Sequence, residues 1–134
     1  MITSVKSGKE LVVTLANRMG VLADISGLLA GNGINIEGVA GYAVGSEAKI
    51  MLVTIDATAA VNVLKKSGYN SIKENSVLVV ELENKPGALK NITSKLVSQG
   101  VDIKQIYGTT CSSACPAKLI LSTSDNEKAM AALK

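Results

Sequence analysis

Two spacings of apolar residues alternate along the chain. Glu10–Ala16 is apolar on both faces, which predicts an interior strand. From Gly20 to Gly31, Val21, Leu22, Ile25, Leu28 and Leu29 recur at three- and four-residue steps, which predicts a helix with one buried stripe. Gly31-Asn32-Gly33 supplies the residues that end a helix. Ile34–Tyr42 returns to a strand pattern, with Gly38 and Gly41 marking a bulge or bend. A turn at Gly45-Ser46 leads into Ala48–Ile55, whose continuous apolar run reads as a central strand. Asp56 or Thr58 caps a second helix that runs to Ser67-Gly68. Tyr69–Glu74 is short and polar, as an edge strand is.

The second half repeats this order. Val77–Glu83 reads as a strand, and Leu89, Ile92, Leu96 and Val97 as a helix. Asn17, Gly20, Leu22, Ile25, Leu29, Gly33 and Ile36 fall on Asn84, Gly87, Leu89, Ile92, Leu96, Gly100 and Ile103. Past Gly108 the register gains two residues, and Ala48, Lys49, Leu52, Asp56 and Leu64 fall on Ala117, Lys118, Leu121, Asp125 and Leu133. Such self-similarity predicts two βαββαβ repeats, residues 1–75 and 76–134, in an α+β fold of ferredoxin-like type. Each repeat carries an antiparallel sheet with both helices on one face. The second repeat ends after its second helix, Asp125–Lys134, and so lacks its last strand. That omission leaves Val77–Glu83 with an open edge, which predicts a homodimer covering it, or blunting by Glu81 and Glu83.

Chemistry concentrates in the strand-to-helix turns. Asn84-Lys85-Pro86-Gly87-Ala88-Leu89 and Asn17-Arg18-Met19-Gly20-Val21-Leu22 each open a helix. The unpaired N–H groups of a first helical turn attract a small anion, and each turn has an Asn beside them. Pro86 suits the first helical position. The composition narrows the classes. Hydrophobic residues make up 47% and charged residues 19% of the 134, which indicates a globular chain. A formal charge of +3, with both signs interspersed, gives no polyanion signal. Three Tyr, no Phe and no Trp leave little for stacking on bases. An RNA-recognition sheet shares this element order but needs aromatics on its first and third strands, and here those strands have none. No His and no paired carboxylates argue against an enzyme and against a resident cofactor.

Met1 precedes Ile2-Thr3-Ser4-Val5-Lys6 without the apolar stretch of a signal peptide, and no apolar run approaches the roughly 18 residues of a membrane span. A cytoplasmic protein is the expectation. Cys111-Ser112-Ser113-Ala114-Cys115 lacks zinc spacing and further ligands, so no metal is expected. A metal- or redox-responsive interaction protein acting through the Cys111/Cys115 loop is the alternative.

Two βαββαβ copies, each with Asn-x-x-Gly-x-Leu after its first strand, resemble tandem ACT domains. Gly33-Ile34-Asn35-Ile36 and Gly100-Val101-Asp102-Ile103 match the family's start of strand two. The second copy matches the turn in full, whereas the first has Met19 where the family usually has Pro. The resemblance implies a non-catalytic regulatory module that senses a small amino acid at the interface of two modules. Its partner would be an enzyme of amino-acid metabolism; a purely structural regulatory subunit of a biosynthetic enzyme is a further alternative. The ligand-binding set implied is Asn84, Gly87, Ala88, Leu89, Asp102 and Ile103. Its equivalent in the first copy is Asn17, Gly20, Val21, Leu22, Asn35 and Ile36. N–H groups at the glycine would hold the carboxylate, and Asn84, Asp102 and strand carbonyls the ammonium.

Overall fold

The computed structural model describes every residue except 111, 113 and 114. In chain order the elements are β1 (Ile2–Ala16), α1 (Val21–Gly31), β2 (Ile36–Val44), β3 (Glu47–Thr54), α2 (Ala57–Lys66), β4 (Ile72–Leu82), α3 (Ala88–Ser98), β5 (Ile103–Thr109), β6 (Ala117–Thr123) and α4 (Asn126–Leu133). The fold is α+β with antiparallel strand pairs, of the ferredoxin-like kind expected. By compactness the chain divides into a first unit, Lys9–Asn75, and a second unit, Met1–Gly8 with Ser76–Lys134. The sequence expectation was repeats at 1–75 and 76–134; by compactness residues 1–8 group with Ser76–Lys134.

In the first unit the strand order is β2-β3-β1-β4. Glu10 to Ala16 pair with Val53 to Glu47, and β2 pairs with the other side of β3 with a bulge between Ile36 and Gly38. Pleat alternation then sorts the side chains. Leu11, Val13, Ile50 and Leu52 face the helices and pack with Val21, Ile25 and Leu29 of α1 and Ala60 and Leu64 of α2. α1 ends with Gly33 and Ile34 donating to the carbonyls of Ala30 and Leu29, as the Gly-Asn-Gly stop anticipates. α2 is capped by Asp56, whose Oδ1 accepts from the Ala59 N–H at 3.0 Å. Asp125 repeats that cap on α4, accepting from Lys128 N–H at 3.0 Å.

The second unit has the order β1-β4-β6-β5. Leu78, Val80 and Leu82 of β4 and Leu121 of β6 pack with Ile92 and Leu96 of α3 and Ala129 and Leu133 of α4. Among the described residues no strand follows α4. Its place beside β4 is taken by the N-terminal end of β1. The Glu83 N–H donates to the Met1 carbonyl at 2.9 Å, and Thr3 Oγ1 donates to the Glu81 carbonyl at 3.1 Å. Ile2 and Val5 pack against the core cluster of this unit, and Gly8 lies beside Val77 and Val79. The expected open edge on Val77–Glu83 is therefore filled by the chain itself, which removes the reason given for a dimer there. A related correction concerns Tyr69–Glu74 and Val77–Glu83. These were expected as two strands, yet one strand, β4, runs through Ile72–Leu82. Glu74-Asn75-Ser76 is polar but contains neither Gly nor Pro to turn the chain. β4 thus ends the first unit and begins the second, while β1 does the same in reverse order.

Candidate functional site

The turn of the first unit is built from the end of β1. Leu15 and Ala16 are still paired to β3, and the Asn17 N–H donates to the Ser46 carbonyl at 2.8 Å, which fixes where the strand stops. The chain must then reverse into α1 within three residues. Gly20 accomplishes this at φ 89°, a left-handed conformation that side chains rarely adopt, and it stands as the N-cap without a side-chain cap bond. The first helical hydrogen bond is from Asp24 N–H to Gly20 O at 2.9 Å. The N–H groups of Val21, Leu22 and Ala23 thus lie N-terminal to the helical ladder, at the positive end of the α1 dipole.

Gly20, Val21 and Leu22 border a cavity of about 460 Å³, within the span of small-molecule sites at roughly 300–1,000 Å³. Asn17, Arg18, Gly20, Val21 and Leu22 form one wall, and β2 from Val39 to Ala43 with Ala48, Lys49 and Ile50 of β3 forms the other. Strand register decides which side chains enter. Val39, Gly41 and Ala43 pair with Leu52, Ile50 and Ala48, on the helix-facing side of the sheet. Tyr42 and Thr14 pair with Lys49 on the opposite side, where Lys49 Nζ lies 3.4 Å from Thr14 Oγ1. Lys49 therefore meets the cavity through its backbone, and its ammonium is directed away.

Arg18 stands between this cavity and a polar cleft of about 570 Å³ lined also by Asp24, Gly27, Leu28, Ser67 and Tyr69. Its Nη2 donates to Asp24 Oδ2 at 2.9 Å and to the Tyr69 hydroxyl at 3.4 Å. The hydrogen bond to Asp24 raises the Arg18 pKa above its ordinary value, so the guanidinium stays charged. Both partners are about half exposed, so the pair adds little to stability.

The turn of the second unit has the same backbone, with Gly87 at φ 87° as N-cap and the first helical bond from Asn91 N–H to Gly87 O at 3.0 Å. Pro86 was expected inside the helix but precedes the cap. Several polar groups here are engaged within the chain. The Ala88 N–H donates to Lys85 O at 3.2 Å, and the Asn84 amide donates to Ser112 O at 2.7 Å. Lys85 Nζ pairs with Glu83 Oε2 at 3.0 Å, and that hydrogen bond holds the Glu83 carboxyl below its usual pKa. Leu89 is about half exposed. Asp102 is joined to Ser124 by its N–H to Ser124 Oγ at 3.0 Å and by its carbonyl, which accepts from Ser124 N–H at 2.9 Å. Ile103 packs on the core of its unit.

Of the twelve residues named from sequence, the cavity brings together Asn17, Gly20, Val21 and Leu22. Asn35 and Ile36 do not line it; Ile36 packs against the core of the first unit instead. The cavity's second wall, Val39, Gly41, Ala43, Ala48 and Ile50, was not named. Its signal was present in the alternation of β2, where every second residue faces the helices and two of three are Gly or Ala. Cys115 is disulfide-bonded, and Cys111, Ser113 and Ala114 lie outside the described residues. Among the described residues no group of three or more Cys, Asp or Glu is placed to hold a metal ion. Among them, too, no helix is long and apolar enough to cross a membrane.

The fold and the glycine turn together define a ferredoxin-like module with an anion-attracting helix start beside an apolar cavity. The family model of the ACT domain matches residues 9–65, which corresponds closely to the first unit. Solved structures with this fold include protein BT0572 from Bacteroides thetaiotaomicron, 22% identical, with 96% of this chain and 88% of that chain covered and a TM-score of 0.87. The regulatory subunit of aspartate kinase from Thermus thermophilus is 18% identical, with 98% and 95% covered and a TM-score of 0.69. The corresponding subunit from Thermus flavus is 15% identical, with 98% and 95% covered and a TM-score of 0.60. A search of curated proteins found no match.

Proposed function

We propose that the chain is a non-catalytic regulatory module of the cytoplasm that binds a small amino acid. The reading rests on one observation above the others: the open start of α1 lies beside an apolar cavity of fitting volume, on the segment that the ACT-domain model matches. The ligand carboxylate is assigned to the N–H groups following Gly20, and the ammonium to Asn17 and the carbonyls of β2. Gly20, Val21, Leu22 and Asn17 are the residues proposed to carry binding. Residues 76–134 are proposed as a second ACT repeat. Its turn, with Asn84 and Ala88 already bonded, is the weaker ligand site, contrary to the preference its fuller motif suggested. Asp102, Gly87, Leu89 and Ile103 then serve the fold of that repeat. The structural likeness to aspartate kinase regulatory subunits supports an enzyme of amino-acid metabolism as the partner.

The test is a thermal melt against each of the twenty amino acids. At 100 times its dissociation constant a ligand adds about 2.7 kcal/mol of stability, enough for a clear shift. Gly20→Asp is expected to abolish the shift by placing a carboxylate at the same N–H groups. Asp is among the residues that tolerate the left-handed region best, so the variant is expected to fold. A chain whose melt no amino acid moves, or one whose shift survives Gly20→Asp, would overturn the assignment.

Self-association is proposed through the first unit's edge strand. β2 stands last in its sheet order, and Val39, Tyr42 and Val44 are at least half exposed, with Leu22 across the cavity from them. Val39→Lys is expected to shift the sedimentation profile from dimer to monomer; a wild type that sediments as a monomer with ligand present contradicts the proposal.

A further inference from the structure

We infer that the cavity beside Gly20 selects a zwitterionic amino acid whose side chain is uncharged and apolar, an inference that rests on reading this cavity as the amino-acid site. Its polar groups lie at one end, where Asn17 and the first N–H groups of α1 meet. The apolar residues that line it are Val21, Leu22, Val39, Ala40, Ala43, Ala48 and Ile50. No Asp or Glu lines the cavity. Neither bordering cation is free to serve as a counter-charge. Lys49 projects from the other face of the sheet toward Thr14. Arg18 is held by Asp24 and Tyr69 on the side of the polar cleft.

A ligand side chain that reaches beyond the turn therefore leaves water for an apolar wall. An aliphatic group is favoured there by the hydrophobic effect. An ammonium or second carboxylate would lose hydration without a partner, which is strongly unfavourable. An acidic side chain meets in Arg18 a guanidinium whose charge Asp24 already offsets. Asp24 thus keeps the cavity neutral, and it does so from outside it.

Gly41 offers a steric check. A Cβ there would project to the helix-facing side, 3.5 Å from Lys49 O and 3.8 Å from Ile50 Cγ1, both ordinary contacts. Gly41→Ala therefore narrows the cavity without disturbing the strand pair.

Titration calorimetry on the full chain tests this with leucine, isoleucine, valine, methionine, alanine, lysine, arginine, aspartate and glutamate. The aliphatic set is expected to bind at least about tenfold tighter than lysine or aspartate, the scale of one unmade charge-assisted contact. Gly41→Ala is expected to weaken leucine more than alanine. Asp24→Asn is expected to raise aspartate and glutamate affinity about tenfold while leaving leucine unchanged, because Arg18 is then released. If lysine or aspartate binds the wild type as tightly as leucine, the selectivity inference fails and the amino-acid site stands. If Asp24→Asn leaves the acidic ligands unimproved, the role given to Arg18 and Asp24 fails. If all nine give no heat and no melt shift, the reading of the cavity as an amino-acid site fails with it.

Discussion

Deleting residues 1–8 is expected to destabilise the second unit by roughly 3–5 kcal/mol, a large part of the roughly 5–15 kcal/mol that holds a domain folded. The deletion removes the strand that occupies the edge of β4. Glu83 N–H and the Glu81 carbonyl lose their partners on Met1 and Thr3. Each lost bond counts about 1 kcal/mol net, less where water can take over. Ile2 and Val5 withdraw from a cluster containing Leu78, Val80, Leu82 and Leu121. A fully buried aliphatic side chain is worth about 1.5–3 kcal/mol, and these two are part-buried, so they contribute about half of that each. The remaining loss is the rest of the β1 ladder along Val77–Leu82. Hydrogen exchange gives the sharpest readout. Amides of Val77–Leu82 and of β6 are expected to lose protection, whereas β3 in the first unit keeps most of its own. A truncated chain with an unchanged denaturation midpoint and unchanged protection at Val77–Leu82 would show that the N-terminal strand is dispensable.

That strand also marks the limit of what the sequence conveys. The helices, the cap at Asp56 and the glycines that open α1 and α3 were all legible, because each depends on residues within a few positions of one another. Ile2–Gly8 was not. It contains only two aliphatic residues, Ile2 and Val5, and their spacing of three breaks strict alternation. Its pairing partner lies more than 70 positions away, and nothing local announces a contact of that separation. The repeat comparison then suggested a missing strand after α4, when the gap is filled from the other end of the chain. The continuity of β4 was obscured for a different reason. Polar residues at Glu74, Asn75 and Ser76 resemble a break, but without Gly or Pro an extended chain simply continues.

The candidate site divides in the same way. Its turn was legible from Asn17, Gly20 and Leu22. Its second wall arises from pairing of β2 with β3, and register across a bulge between Ile36 and Gly38 is not visible in one sequence. The fuller motif lies in the other copy. Asn84-x-Pro86-Gly87-x-Leu89 is the fuller match, but the longer β5–β6 connection places Ser112 where its carbonyl takes the Asn84 amide. Met19 in the shorter motif replaces a Pro yet leaves Gly20 in the same conformation as Gly87. The turn depends on glycine at that position and much less on the residue before it.

Gly108→Ala is expected to cost about 2–3 kcal/mol, although its equivalent Gly41→Ala costs almost nothing. Both glycines lie on the second strand of their repeat with ordinary strand dihedrals, so neither is needed for a left-handed turn. Glycine inside a strand is weakly unfavourable, and an alanine that fits gains roughly 0.5–1 kcal/mol from the stiffer unfolded chain. At Gly41 the new methyl finds only ordinary contacts, at 3.5 and 3.8 Å. At Gly108 it would press on Leu119 Cδ2 and on the Lys118 carbonyl oxygen, closer than real Cβ atoms come, and would stand 3.1 Å from Leu119 Cα. Leu119 could rotate, but the carbonyl and Cα belong to the backbone of β6, so the strands must separate where Gly108 pairs with Leu119. Overpacking of this kind typically costs about 1–3 kcal/mol, and here it falls on backbone with little freedom to yield. Urea denaturation of the two variants measures the difference. Gly41→Ala should match the wild type within about 1 kcal/mol, with Gly108→Ala well below both. Equal midpoints for the two would mean that β5 and β6 are farther apart at Gly108 than the structure has them.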